Sequence, residues 1–308
     1  MAKVIANQPS GKIGNVIYRH TKYGLILTAA PQNINDPKTD RQLRNRIVLG
    51  NLAANYRLYR DALPLLFEQK NPSCTDYNMF MAVNHGTVSV YITLQQREAD
   101  ACVIAPYQFS DGTLVPVHYH LVYLNPPKPG TFEYLCDERE PVLVSNLVLG
   151  SLVIDKETSV ADFSEAIINH NTGWQEGDEL YFLFATQSMQ AYTGYPEAKM
   201  ESWHIILNTS SFASDQRLYD QVAPLGFTSV SEPVEGAVEG GVEGTYRLGM
   251  NVPLLDSGAA WLHLRHTPAG KIQLSTQHLF VKNDLLESYQ DDKAFSFAAT
   301  SYKRKRKK

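Results

Sequence analysis

Trp261-Leu262-His263-Leu264-Arg265-His266, Pro268-Ala269-Gly270 and Ile272-Gln273-Leu274-Ser275-Thr276-Gln277-His278-Leu279-Phe280-Val281 read as two strands around a turn. This hairpin sets the period of the whole C-terminal body. Working toward the N-terminus, Glu179-Leu180-Tyr181-Phe182-Leu183-Phe184 follows a turn at Trp174-Gln175-Glu176-Gly177-Asp178, and Trp203-His204-Ile205-Ile206-Leu207 follows a loop. Val142-Leu143-Val144, Val115 through Leu124, Cys102-Val103-Ile104 and the alternation Val88, Val90, Ile92 extend the series. Ser110-Asp111-Gly112 and Pro126-Pro127-Lys128-Pro129-Gly130 punctuate it as turns. Short strands at this spacing predict a β-sandwich or barrel. One helix interrupts, capped by Ser159 and carrying Val160, Phe163, Ile167 and Ile168.

The first 86 residues follow other rules. Val16-Ile17-Tyr18 and Leu25-Ile26-Leu27 form a hairpin through His20–Gly24. Thr39 is an N-cap with Gln42 three residues on, a capping box opening a helix from Asp40 to about Arg60. At about 100° per residue, Leu43, Ile47, Ala54 and Leu58 line one face of it, and Val48, Leu52 and Tyr59 line another. A helix apolar on two sides requires cover on two sides, from other elements or from another subunit. Thr75 caps a second, shorter helix through Tyr77, Phe80 and Met81, ending near Asn84-His85-Gly86.

The expected fold class is α+β, mainly β. The expected organisation is a basic hairpin-and-two-helix module over 1–86, an acidic β-sandwich domain over 87–209, a continuation or second β-unit over 210–302, and a basic tail over 303–308. Val234-Glu235-Gly236, Val238-Glu239-Gly240 and Val242-Glu243-Gly244 repeat every four residues without core-forming side chains, which predicts a flexible acidic loop. The chain from Ala294 onward reads as a tail loose at its end.

Net charge is unevenly spread. Residues 1–70 hold 11 Lys or Arg against 4 Asp or Glu, a net of +7, and residues 71–302 hold 11 against 28, a net of −17. Lys303, Arg304, Lys305, Arg306, Lys307 and Lys308 add +6. Basic ends around an acidic body favour self-association or an anionic partner at the ends. Three widely spaced cysteines, Cys74, Cys102 and Cys136, fit free thiols in a reducing compartment. No stretch approaches the roughly 18 apolar residues of a membrane span, and Met1–Pro9 lacks a leader's apolar core. The expected location is the cytoplasm or a virion, with no membrane partner.

The N-terminal block carries a family pattern. Gly11, Gly14, Asn35, Pro37, Thr39, Gln42, Arg46, Tyr77, Asn78, Phe80 and Asn84 resemble a family of unknown function abundant in Bacteroidota, with related N-terminal patterns in phage and prophage genes. Asp36 departs from it by separating Asn35 from Pro37. The resemblance covers about a quarter of the chain. It implies an immunoglobulin-like β-region and an accessory or virion-associated role, and it brings no catalytic residues.

Catalytic and metal patterns do not assemble. His118 and His120 share a strand face without a third ligand placed near them, and His263 and His266 fall on opposite faces. Gly11-Lys12-Ile13-Gly14 lacks the Gly-Lys-Ser/Thr ending and following helix of a phosphate loop, which leaves turn glycines. Gly150-Ser151 lacks the second glycine of a nucleophile elbow. Asp155, Glu157, Asp162 and Glu165 read as solvated loop and helix-start carboxylates. The chain reads as a non-enzyme without metal or cofactor.

The cations are the candidate interaction residues: Arg19 and Lys22 in the hairpin, Arg46, Arg57 and Arg60 in one sector of the long helix, and the run Lys303–Lys308. Arg41 and Arg44 lie on another sector, so no single stripe follows a phosphate track. The leading expectation is a structural or assembly protein, related to phage or prophage, oligomerising through its N-terminal module with itself or another protein. The alternative is nucleic-acid binding by the N-terminal cations, with Tyr18 and Tyr23 interleaved, and by the tail. A surface-sugar binder using Tyr192, Tyr195 and Trp203 is a third class, with core packing the commoner role for such residues.

Overall fold

The computed structural model describes residues 3–5, 8–21, 24–30, 38–70, 73–124, 140–222, 227–231, 245–251 and 256–303. The chain forms two compact units, Met1–Gln42 and Leu43–Lys308, and combines helices with several antiparallel sheets. This division does not coincide with the boundary expected at residue 86. The Pro126–Gly130 turn, the Val234–Gly244 tract, Cys136, Asn35–Pro37, Lys22 and Arg304–Lys308 lie outside the described residues.

The first unit contains a four-stranded antiparallel meander: β1 (Lys3–Ile5), β2 (Gln8–Ile13), β3 (Val16–Thr21) and β4 (Gly24–Ala29), side by side in that order. Ile13 pairs with Val16, leaving Gly14-Asn15 as a two-residue turn. Gly14 has φ 59° there, the sign of φ that a II′-type hairpin turn requires at its first central position. The Gly11–Gly14 motif is thus strand and turn, with a strand after it instead of a helix.

Helix α1 (Asp40–Ala62) opens on the expected capping box: Gln42 N–H donates to Thr39 Oγ1 at 3.4 Å, and Thr39 N–H donates to Gln42 Oε1 at 3.2 Å. α2 (Asp76–Asn84) is capped by Thr75, and α3 (Leu94–Glu98) by Thr93. Then follow β5 (Gln108–Ser110), β6 (Tyr119–Leu124), β7 (Glu140–Gly150), α4 (Val160–His170), β8 (Asp178–Met189), β9 (Pro196–Ile206), α5 (Ser211–Ser214), α6 (Leu218–Val222), β10 (Phe227–Ser231) and β11 (Tyr246–Asn251). The chain ends with β12 (Ser257–His266), β13 (Ile272–Leu274), β14 (Gln277–His278), β15 (Phe280–Lys282), α7 (Asp284–Glu287) and α8 (Asp292–Lys303). Among the described residues no helix is long and apolar enough to cross a membrane.

The sheet β13-β12-β8-β9 is the centre of the second unit. Leu180, Phe182, Phe184, Ala259 and Trp261 share one buried cluster with Leu143, Leu147, Leu248 and Met250 of the sheet β10-β11-β7-β6 and with Phe163 and Ile167 of α4. Leu183, Ala185, Ala260 and Leu262, alternating with the first set, join a second cluster with α1, α2 and α8. This double burial explains the nearly unbroken apolar runs of β8 and β12, since each face of the sheet meets another layer.

Several expectations change. Both apolar stripes of α1 are covered by this chain: Leu43, Ile47, Val48, Leu52 and Tyr59 all belong to the second cluster. The helix therefore gives no support for a subunit contact. Val88–Ile92 and Cys102–Ile104 are not ladder strands: Tyr91 N–H donates to the Tyr289 carbonyl and Cys102 N–H to the Pro196 carbonyl, both at 2.9 Å, and side chains serve the next two residues. Val103 N–H donates to Asn51 Oδ1 at 2.8 Å, and Ile104 N–H donates to Gln187 Oε1 at 2.8 Å. The expected hairpin holds only for Leu264–His266 against Ile272–Leu274; the chain then pairs β14 with β5 and returns as β15 to the other end of β12. The chain from Ala294, expected to be loose at its end, is helical as far as Lys303, with Phe295, Ala298 and Ala299 buried at i, i+3 and i+4, and residues 304–308 lie outside the described residues.

Candidate interaction surfaces

The candidate cations separate onto different surfaces. Arg19 lies on β3 in the N-terminal unit, Arg46 is exposed on α1, and Lys303 closes α8. Lys22 and Arg304–Lys308 fall outside the described residues. Among the described candidates, Arg57 and Arg60 come together, in a groove beside α1.

That groove has a volume of about 300 Å³. Gly50, Ala53, Arg57 and Arg60 recur at three- and four-residue steps, so they share one side of the helix with Tyr56 next to them. Tyr77 of α2, Arg97 of α3 and Asp100 form the opposite wall. The floor is open because Gly50 has no side chain: a Cβ there would sit 3.3 Å from Arg97 Cδ. Tyr56 and Tyr77 meet edge to face with centroids 5.2 Å apart. Burial pushes the Tyr56 hydroxyl's pKa up, so it stays a donor at neutral pH.

Two carboxylates already answer the guanidinium groups. Arg57 Nη1 lies 3.0 Å from Asp100, and Arg60 Nη2 lies 2.7 Å from Asp61, with all four side chains 48% exposed or more. Exposed pairs of this kind are worth about 1 kcal/mol or less, so a better-placed anion can displace them. Three guanidinium groups and two phenols in one groove suit an anionic ligand. Arg57 and Arg60 were legible from their helical sector. Arg97 and Tyr77 were not, because only the packing of three helices brings them to Arg57.

The N-terminal sheet presents the second surface. Register places Lys12, Ile17, Arg19, Ile26 and Thr28 on one face. Ile13, Val16, Tyr18, His20, Leu25 and Leu27 occupy the other. All of β4 is exposed, with Leu25 at 42%, Ile26 at 47% and Leu27 at 55%. Apolar residues therefore stand open on both faces, which a sheet within a core does not show.

The most polar buried cluster joins β8 to β12. Asp178, at the start of β8, lies directly opposite Arg265, whose Nη2 donates to its Oδ2 at 2.7 Å, while His263 Nε2 is 2.9 Å from the same oxygen. Gln175 N–H donates to Asp178 as well, and Trp174 stacks on the His263 ring with centroids 3.7 Å apart. Burial opposes ionisation of Asp178, but hydrogen bonds from Arg265, His263 and Gln175 outweigh it and hold the carboxyl below its usual pKa. With Asp178 and His263 fully buried, the arrangement fixes the register of two strands. His118 and His120 are both exposed, and among the described residues no three His, Cys, Asp or Glu side chains are grouped to hold a metal ion. Asp162 is engaged in the Ser159 cap, and hydrogen bonds from Thr158 and from Glu157 N–H hold Asp155 below its usual pKa. Trp203 lies against Phe182, with centroids 6.4 Å apart, whereas Tyr192 is fully exposed.

Compared with known proteins, the chain matches no family model, no curated protein and no solved structure.

Proposed function

We propose that this protein is a non-enzymatic structural or assembly protein, phage- or prophage-related, that associates through its N-terminal sheet. The observation that supports this reading is the exposure of Leu25, Ile26 and Leu27, whose side chains point to both faces of a four-stranded sheet. A small sheet gains its hydrophobic stabilisation only when a face is covered, and burying a leucine contributes about 1.5–3 kcal/mol. The association surface is thus the sheet, and α1 has no part in it. The two antiparallel sheets sharing one core support reading the β-region as an immunoglobulin-like sandwich.

Light scattering on the full chain across micromolar concentrations tests the reading. A species heavier than one chain is expected, and Leu25→Lys with Leu27→Lys should return it to a monomer with unchanged circular dichroism. A wild-type monomer at every concentration would overturn self-assembly.

A second reading, binding of nucleic acid, is favoured by one observation: Arg57, Arg60 and Arg97 converge with Tyr56 and Tyr77 in a single groove.

A further inference from the structure

Building on the second reading, we infer that the groove beside α1 holds a terminal phosphate, the phosphomonoester of a nucleotide, in preference to the phosphodiester inside a strand. Arg57, Arg60 and Arg97 surround a single space of about 300 Å³. Arg57 and Arg60 are three residues apart on α1, about 4.5 Å of helix rise, and Arg97 faces them from α3. A groove built for a running strand spreads its cations along the backbone, one phosphate after another. Here the three cations stand around one space, and its volume is at the small end for a ligand site. One phosphate and one ring fill it.

Charge selects the same ligand. Asp100 is the one carboxylate among the described lining residues, so the three guanidinium groups leave the lining a net charge of +2. A phosphodiester brings one negative charge on two unbridged oxygens. A phosphomonoester brings about −1.5 to −2 at neutral pH and offers three acceptor oxygens. Arg57 is already held by Asp100 at 3.0 Å, and Arg60 by Asp61 at 2.7 Å from outside the lining. A singly charged phosphate gains little by displacing either carboxylate, whereas a dianion gains from all three guanidinium forks. The tyrosines serve the nucleoside. Tyr77 keeps 41% of its surface exposed, and Tyr56 braces it edge to face, which leaves ring surface on which a base can stack.

Fluorescence anisotropy of the full chain with an internally labelled single strand tests this. The strand is offered with a hydroxyl at both ends, with a 5′-phosphate, and with a 3′-phosphate. At least one phosphorylated strand should bind on the order of tenfold more tightly than the hydroxyl strand. That preference should vanish in Arg57→Ala and in Arg97→Ala, and persist in Arg46→Ala, whose side chain does not line the groove. It should also grow from about pH 5 to about pH 7, as the monoester loses its second proton near pH 6. None of the described lining residues is a histidine, so that rise belongs to the ligand. Adenosine monophosphate, added as competitor, separates the two sources of such a phosphate. Displacement of the phosphorylated strand supports the inference with a free nucleotide as ligand, and a preference without displacement supports it with a strand end. Equal binding of all three strands at every pH overturns the inference while the nucleic-acid reading stands. Binding of adenosine monophosphate without binding of any strand overturns that reading and leaves the inference in place. No binding of strand or nucleotide overturns both. A preference that Arg46→Ala removes as fully as Arg57→Ala overturns the groove as its seat.

Discussion

Asn51 and Val103 exchange two hydrogen bonds in the core: Val103 N–H donates to Asn51 Oδ1 at 2.8 Å, and Asn51 Nδ2 donates to Val103 C=O at 2.9 Å. A helix side chain thereby does what a neighbouring strand does for a peptide group. Asn55 Nδ2 donates to the same carbonyl at 3.0 Å, which ties α1 to this segment at two successive turns. Replacing Asn51 with Ala leaves the Val103 N–H buried without a partner. The expected loss is about 2–4 kcal/mol, the sum of an unsatisfied group and a small cavity. A urea midpoint shared with wild type would show that the amide pair contributes nothing to stability.

How much of this was legible follows from where each partner comes from. The caps at Thr39, Thr75 and Ser159 were readable because each cap oxygen accepts from a backbone N–H only three residues on. Strand pairs β3–β4 and β8–β9 were readable as strands from their own alternation or apolar runs. Val88–Ile92 and Cys102–Ile104 have strand composition, yet Asn51, Gln187 and the Tyr289 carbonyl take the place of strand neighbours from far along the chain. α8 was missed because its buried face is one phenylalanine and two alanines, and Arg44 holds it by lying 3.9 Å over the Phe295 ring. The two stripes of α1 required two covers, but no local pattern showed that residues of α2, β5, β8, β12 and α8 join them in one buried cluster.

Asp178 gives a pH dependence with a defined sign. Its folded-state pKa is depressed, so an unfolded chain takes up this proton first as pH falls. Its contribution is fully present above the unfolded value of about 3.9 and is lost as pH drops through the folded value. Asp178→Asn should cost about 3–5 kcal/mol at neutral pH by stranding Arg265 beside His263. The gap to wild type should narrow steadily as pH falls below about 4. Denaturant titrations at several pH values check this, and a gap independent of pH would mean that the carboxylate's charge does not matter.

Cys102 is buried and burial pushes its thiol up to a pKa of about 12. Thiolate is the reactive form, so native Cys102 should resist an aromatic disulfide reagent at pH 8, whereas half-buried Cys74 should react. Cys102→Ala should therefore leave the native thiol count unchanged and lower the count in denaturant by one. Loss of a native thiol in that variant would place Cys102 at the surface.

The groove beside α1 makes opposite predictions for two neighbouring charges. Arg57 holds Asp100 at 3.0 Å, so Asp100 acts as an internal counterion that an incoming anion must displace. Asp100 has φ 56°, a conformation that asparagine adopts readily, so Asp100→Asn removes the charge without straining the turn. Binding of a labelled single-stranded oligonucleotide should tighten several-fold in Asp100→Asn. Arg57→Ala should weaken it and lower the slope of log affinity against log salt by about one. Arg97→Ala should act in the same direction, since that arginine faces the groove from α3. Arg46→Ala should have little effect if the groove, and not the whole α1 sector, carries the binding, because Arg46 does not line it. Fluorescence anisotropy across a salt series reads all four variants together. Weakening by Arg46→Ala equal to that by Arg57→Ala would mean a diffuse basic surface, and no response to either Arg57→Ala or Asp100→Asn would remove the groove as an anion site.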